Sequence, residues 1–357
     1  MNKSQLSAAQ TFRLKFEWVD AILFFYLLVF IRQYFWILNH NKTAWLVSVL
    51  ISIPLWYFYV STKPFASEKS GPAFWLIVAL PLLAAYCLRV AFPDLSFDVL
   101  TYHLLHSERS LRGTLFAPDD YFPTQIAFNP IADTLTGFSR QLLGFRLGTA
   151  ANLIVLLWIG KVLNQLLKSF ISHAWIRSFF VLLILINENV LFEISTYMVD
   201  LLALPLMLQA TLIALDINEN DHKKASFIHC AVLLGAAMAF KFTNFAAVLP
   251  ILVVLAHRIV FGAFRSSLKR IATLLALMFV AFVTPLIPFL VYIYRLTGNP
   301  FFPVGNRFFN SPFWPTHGGW DSRWGPHTLF ETIVWPVMIW FQPDRYSELA
   351  VYSGRLS

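Results

Sequence analysis

Charge is scarce in this sequence. Asp, Glu, Lys and Arg together make up 13% of 357 residues, where a soluble domain averages about a quarter. That scarcity excludes an ordinary soluble enzyme. Cysteine is limited to Cys87 and Cys230, both in apolar helical surroundings, which suits packing thiols and excludes a disulfide-stapled scaffold. Strands alternating apolar and polar residues are missing, so an outer-membrane barrel is excluded. No Gly-x-x-x-x-Gly-Lys-Ser/Thr loop and no Gly-x-Ser-x-Gly elbow occurs, which removes ATP-driven transport and the common serine hydrolases.

Apolar length is what the chain has. It is 58% hydrophobic with a mean hydropathy of +0.63. Apolar runs of about 17–25 residues, long enough to cross hydrocarbon, recur throughout. The fold expected is all-α: a polytopic transmembrane bundle of nine or ten spans, near 19–39, 44–60, 73–92, 145–168, 174–191, 197–215, 227–241, 244–261 and 271–294. A shorter stretch, Thr328 to Phe341, is interrupted by Pro336 and reads as a partial span or an interfacial helix. The polar start, Met1 to Glu17, shows no cleavage site and leads into a retained first span. The chain divides into an N-terminal hairpin with its loop (1–72), a core (73–310) and a C-terminal loop with a partial span (311–357).

The net charge of +8 reads as topology and calls for no nucleic-acid partner. With the N-terminus inside, the inner segments hold Lys3, Arg13, Lys15, Lys63, Lys161, Arg177, Lys223, Lys224, Arg265 and Lys269, satisfying the positive-inside rule. The lone acids, among them Asp94, Asp98, Glu108, Asp133, Glu193 and Asp200, then fall on the opposite face. The first long outer segment, 93–144, is expected to hold a surface helix around Phe97, Leu100, Leu104 and Leu111. A Pro- and aromatic-rich turn from Phe116 to Pro130 follows it, then a second short helix from near Asp133. The second outer segment, Arg295 to His327, is rich in Gly, Pro and aromatics and reads as a loop packed over a cleft.

Four segments concentrate polar chemistry at the mouths of spans: Asp98-Val99-Leu100-Thr101-Tyr102-His103-Leu104, Tyr197-Met198-Val199-Asp200-Leu201, the Gly235 to Thr243 run containing Lys241, and Tyr294-Arg295-Leu296-Thr297-Gly298-Asn299-Pro300. Asp98 is either a general base, partly desolvated at the membrane surface, or a helix cap. Tyr102 lies one helical turn on from Asp98. His103 either orients a substrate or binds a metal, or is half of an interfacial aromatic pair. His106 follows at three residues, without a third ligand in sight. Asp200 either caps its span or supports the first acid. Lys241, a cation at the end of an apolar helix, either meets a phosphate or snorkels to the headgroups. Arg295 and Arg307 are candidates to assist it. Arg89 is placed to pair with Asp94 or Asp98. Glu188 and Glu193 read as solvated loop charges.

Taken in order, the four segments, over residues 73 to 310, resemble those of bacterial GT-C glycosyltransferases, polytopic enzymes that use a polyprenyl-phosphate sugar as donor; protein O-mannosyltransferases and lipid A aminoarabinose transferases share that architecture. The resemblance implies an inverting transfer at the extracytoplasmic face of the inner membrane. Asp98 would be the base and Asp200 a second catalytic acid. Tyr102, His103, Lys241, Arg295 and Asn299 would contact substrate. The acceptor would be lipid, glycan or protein; a divalent metal is possible and no other cofactor is called for. The absence of an Asp-x-Asp pair favours a lipid-linked donor over a nucleotide-linked one. Members of the group continue through further spans, whereas this sequence stops at Gly354-Arg355-Leu356-Ser357, so it is expected to lack their C-terminal part. The alternatives are a transporter or flippase of lipid-linked glycans, a polymerase of their repeat units, or an inactive truncated relative.

Overall fold

The computed structural model describes residues 16–35, 41–62, 70–94, 96–115, 128–216, 224–261, 267–317, 325–338, 341–342 and 345. Most of the Phe116 to Pro130 turn and the last residues, Gly354 to Ser357, lie outside the described residues. Among those described, every regular element is a helix: α1 (Trp18–Tyr34), α2 (Asn41–Thr62), α3 (Pro72–Arg89), α4 (97–112), α5 (Ile131–Leu147), α6 (Ala150–Leu166), α7 (Ala174–Leu185), α8 (Glu188–Glu193), α9 (Asp200–Asp216), α10 (Lys224–Phe240), α11 (Phe245–Phe261), α12 (Leu268–Thr297), α13 (Asn306–Phe309) and α14 (Leu329–Met338).

Among the described residues, five helical stretches are long and apolar enough to cross a membrane: Thr43–Ser61, Pro72–Arg89, Ala150–Ser169, Phe242–Phe261 and Leu268–Thr297. They are apolar on every side, and side chains such as Leu46, Phe58, Leu80, Val253 and Phe279 remain exposed. A belt of that kind is paid for only by a non-aqueous surrounding. These are the marks of a membrane-embedded protein. Asp200–Leu215 and Lys224–Phe240 are apolar but shorter. The span expected over 174–191 is divided. α7 ends at Leu185, and Asn187, whose side chain accepts from the Asn189 amide at 2.9 Å, starts α8 as a separate helix. At 1.5 Å per residue the 12 residues of α7 reach about 18 Å, well under a hydrocarbon core of about 30 Å.

The core is one apolar cluster through α1, α3, α6, α9, α10 and α12. Gly235 sets its tightest approach: a Cβ there would stand 2.0 Å from the Phe282 carbonyl oxygen, so α10 and α12 meet backbone to backbone. Buried polar groups join one end of the bundle. The Asn152 side-chain amide donates to the carbonyls of Glu193, Thr196 and Met198 at 3.1, 3.1 and 2.8 Å. The Asp94 carboxylate accepts from the backbone amides of Ser96 and Tyr197 at 2.9 and 2.7 Å. The Tyr26 hydroxyl donates to the Leu202 carbonyl at 2.8 Å. Together these bonds fix the strap between α8 and α9, and with it the position of Asp200.

Candidate functional site

The first acidic segment opens α4, and its backbone there is wound wide. The Leu104 amide bonds back to the Val99 carbonyl across a π turn, Val99–His103, a device that concentrates at functional sites. Asp98 has helical φ/ψ and makes no side-chain capping bond. Its carboxylate acts on the Tyr102 side chain one turn on and helps raise that phenol above its ordinary value. The Tyr102 ring leans on His103, with centroids 4.2 Å apart.

The anchor beneath them comes from α5. Asp133, on its first turn, bonds two histidines at once: His103 Nδ1 at 2.5 Å through Oδ1, and His106 Nδ1 at 2.8 Å through Oδ2. All three residues are buried. α4 and α5 approach closely because residue 137 is glycine; a Cβ there would lie 2.6 Å from Ser107 Cβ. Higher up, Arg140 pairs with Glu108. Asn129 positions the start of α5. Its Oδ1 accepts from the Ile131 amide at 3.1 Å, and its Nδ2 donates to the Ala239 carbonyl at the end of α10.

The second acidic segment meets this anchor. Asp200 opens α9 and forms an ion pair with Lys241, just past the end of α10. The pair is half open, with side chains 33% and 41% exposed. Capping of α9 falls to Glu193 instead, whose Oε2 accepts from the Leu201 amide at 3.2 Å.

The electrostatics join the two acidic segments into one cluster. Burial pushes the Tyr102 phenol well above its ordinary value, and the charges of Asp98, Asp133 and Asp200 push it further. Tyr102 therefore stays a neutral hydrogen-bonding group. Burial pulls His103 down, but Asp133, with Asp200 and Asp98, outweighs it and holds the imidazole above its ordinary value. Burial would raise Asp133; His103 and His106 outweigh that and hold it low. Burial, followed by the Asp200 charge, raises Glu193 to about 8, against the Leu201 amide and Lys241, which pull it down. Asp98, Asp133 and Asp200 thus all act electrostatically on the Tyr102–His103 pair.

Of the residues singled out in the sequence, Asp98, Tyr102 and His103 lie on one stretch of α4, and Asp200 pairs with Lys241 and acts electrostatically on Tyr102 and His103. Asn299 lies apart from them, in the turn after α12. Its amide is spent inside the turn after α12, donating to the Val304 carbonyl at 3.0 Å and accepting from the Phe301 amide at 2.9 Å, and the residue is fully buried. Arg295 is exposed on the last turn of α12. Arg89 pairs with neither Asp94 nor Asp98. It donates to Ser195 Oγ at 3.2 Å and to the Phe192 carbonyl at 3.4 Å, beside an open cleft of about 570 Å³ edged by Phe92, Phe192, Ser195 and Thr196. Asp133 and Glu193 are the members that the sequence did not single out. The signal for Asp133 was His103 and His106 at helical i, i+3 spacing, which places both imidazoles where one carboxylate can reach them. Glu193 had no such signal. Among the described residues, no group of three or more His, Cys, Asp and Glu side chains is arranged to hold a metal ion.

Comparison of the chain with protein-family models, curated proteins and solved structures gives no match.

Proposed function

We propose that this protein is an integral-membrane, inverting glycosyltransferase that moves a sugar from a polyprenyl-phosphate carrier to an acceptor hydroxyl. The reaction would take place at the extracytoplasmic face of a bacterial inner membrane, in a bundle of nine or ten spans of the GT-C kind. The observation that supports the reading is the half-open ion pair of Lys241 with Asp200, an acid that, with Asp98, acts electrostatically on Tyr102 and His103.

Transfer from a lipid phosphate needs a base for the acceptor, positive charge for the departing phosphate, and a fixed alignment of the two. Asp98 takes the proton of the acceptor hydroxyl as its oxygen attacks the anomeric carbon. The bond from that carbon to the phosphate oxygen breaks on the opposite face, and the phosphate leaves with the electron pair. Lys241 exchanges part of its pairing with Asp200 for the phosphate oxygens. Asp200 keeps Lys241 in place and orients the acceptor. Tyr102, neutral, holds the Asp98 carboxylate in its attacking position. The partners are the polyprenyl-phosphate sugar, a lipid, glycan or protein acceptor, and the surrounding membrane lipid.

The test is sugar transfer from a radiolabelled polyprenyl-phosphate sugar pool by membranes carrying wild type or Asp98→Asn at equal protein level. Transfer by wild type that collapses in Asp98→Asn supports the reading. Equal transfer by both keeps the reaction and removes Asp98 as its base. No transfer by wild type, with lipid, glycan and protein acceptors each supplied, overturns the reading.

A further inference from the structure

The turn after α3 carries two exposed arginines that the proposed transfer does not use. Arg89 closes the membrane-crossing stretch Pro72–Arg89, so it stands where hydrocarbon gives way to headgroups. Its Nε donates to Ser195 Oγ at 3.2 Å and its Nη2 to the Phe192 carbonyl at 3.4 Å, and its guanidinium lies 5.8 Å from the centre of the Phe192 ring. Arg146 reaches the same turn from α5. Gly144, at φ 80° and ψ 173°, breaks that helix before its end. The residues after the break are held in two places: the Phe145 carbonyl accepts from the Tyr197 hydroxyl, and Arg146 Nη1 donates to the Ala91 carbonyl.

Both guanidinia are thus fixed by neutral groups, and among the described residues neither forms an ion pair. Asp94, which lines the open cleft of about 570 Å³ beside Arg89, is no counter-charge. It is buried, with one oxygen accepting from the Ser96 amide and the other from the Tyr197 amide. The surroundings are apolar: Leu88 and Phe92 stand exposed at the end of α3, and Leu142, Leu143 and Leu147 on the last turns of α5. An arginine that merely snorkels to the headgroups is free to move. These two are held in place beforehand, which lowers the cost of ordering them on a ligand. The ligand that matches fixed positive charge between two apolar strips has an anionic headgroup and two hydrocarbon chains.

We infer that the cleft at the end of α3 binds an anionic diacyl phospholipid of the surrounding membrane. Its phosphate accepts from the Arg89 guanidinium, whose planar fork suits phosphate oxygens. Arg146 balances the charge of the headgroup, and the acyl chains lie along the exposed apolar side chains of α3 and α5. The site stands whether or not the protein transfers sugar.

The experiment uses the full-length protein in detergent. Phosphatidylglycerol and phosphatidylcholine are titrated separately, bound lipid is read by native mass spectrometry, and the unfolding temperature is followed on the same samples. Phosphatidylglycerol should bind wild type more tightly than phosphatidylcholine and raise its unfolding temperature. Arg89→Gln should lose about tenfold of that affinity, the value of one hydrogen bond to a charged group, and Arg146→Gln should act in the same direction. Arg270→Gln removes an exposed cation at the start of α12 and should leave the affinity unchanged. A second pair of variants acts through the cleft rim, at Phe92, which is 73% exposed, so the fold tolerates both. Phe92→Glu should bind phosphatidylglycerol about tenfold or more weakly than its neutral control Phe92→Gln, because like charges are brought together. The inference is overturned if wild type binds the two lipids equally, if Arg89→Gln binds phosphatidylglycerol as tightly as Arg270→Gln, or if Phe92→Glu binds it as tightly as Phe92→Gln. It is also overturned if inorganic phosphate alone raises the unfolding temperature as far as phosphatidylglycerol does, which would make free phosphate the occupant.

Discussion

Two of the lysine–carboxylate pairs among the described residues, at opposite ends of the bundle, have the same chemistry and different surroundings. Lys161 and Glu17 are sealed, with side chains 5% and 14% exposed. Lys241 and Asp200 are 41% and 33% exposed. A sealed pair holds helices in register, because each charge has nowhere else to go. An open pair adds little stability, and its charges are free to meet a substrate. The difference separates a structural contact from a working one without reference to residue type.

That contrast can be tested by mutation. The largest effect expected is from Lys161→Ala, which strands the Glu17 carboxylate in the interior at a cost of about 3–5 kcal/mol; thermal unfolding in detergent should show a steep loss of stability. Gly235→Ala, at the end of the bundle where the open pair sits, should cost about 1–3 kcal/mol by overpacking α10 against the Phe282 backbone, read by the same melt. Rising pH should act at this same end. Glu193 and His103 both have folded-state pKa values above their unfolded ones. Their contributions are fully present below the unfolded values and are lost as pH rises through the folded values, which for Glu193 means from the ordinary carboxylate range up through about 8. The unfolding temperature should fall across that window, and Glu193→Gln should flatten the dependence. The smallest effect on stability is expected from Lys241→Ala, under about 1 kcal/mol, together with a loss of sugar transfer. A Lys241→Ala protein that unfolds as readily as Lys161→Ala would end the distinction between the pairs.

How far the sequence anticipated this arrangement depended on the range of each interaction. Helical, apolar character follows from local runs, so it was legible. Asp98, Tyr102 and His103 share one helical turn, so their proximity was legible too. The partner of His103 lies 30 residues on, at Asp133, and only the fold of α5 onto α4 through Gly137 brings it there. Glu193 read as a solvated loop charge because nothing in its neighbours shows that Asn152 draws its strap inward. Of the two readings of Asp200, the cap was displaced for the same reason: Glu193 took the α9 amide, and Lys241, 41 residues on, took Asp200. The turn-closing bonds of Asn299 were not legible, because a side chain that closes a tight turn and one that binds a ligand use the same amide. The span expected over 174–191 was apolar enough, and only the local cap at Asn187 divided it.

The most direct test of the account is equilibrium binding of polyprenyl phosphate to purified wild type and Lys241→Gln, with the unfolding temperature measured on the same samples. The account predicts unfolding temperatures that match closely and an affinity weakened by about tenfold or more, the value of one hydrogen bond to a charged group. Equal affinity at equal stability would contradict it, leaving Lys241 a surface ion pair and the acidic cluster without its phosphate partner.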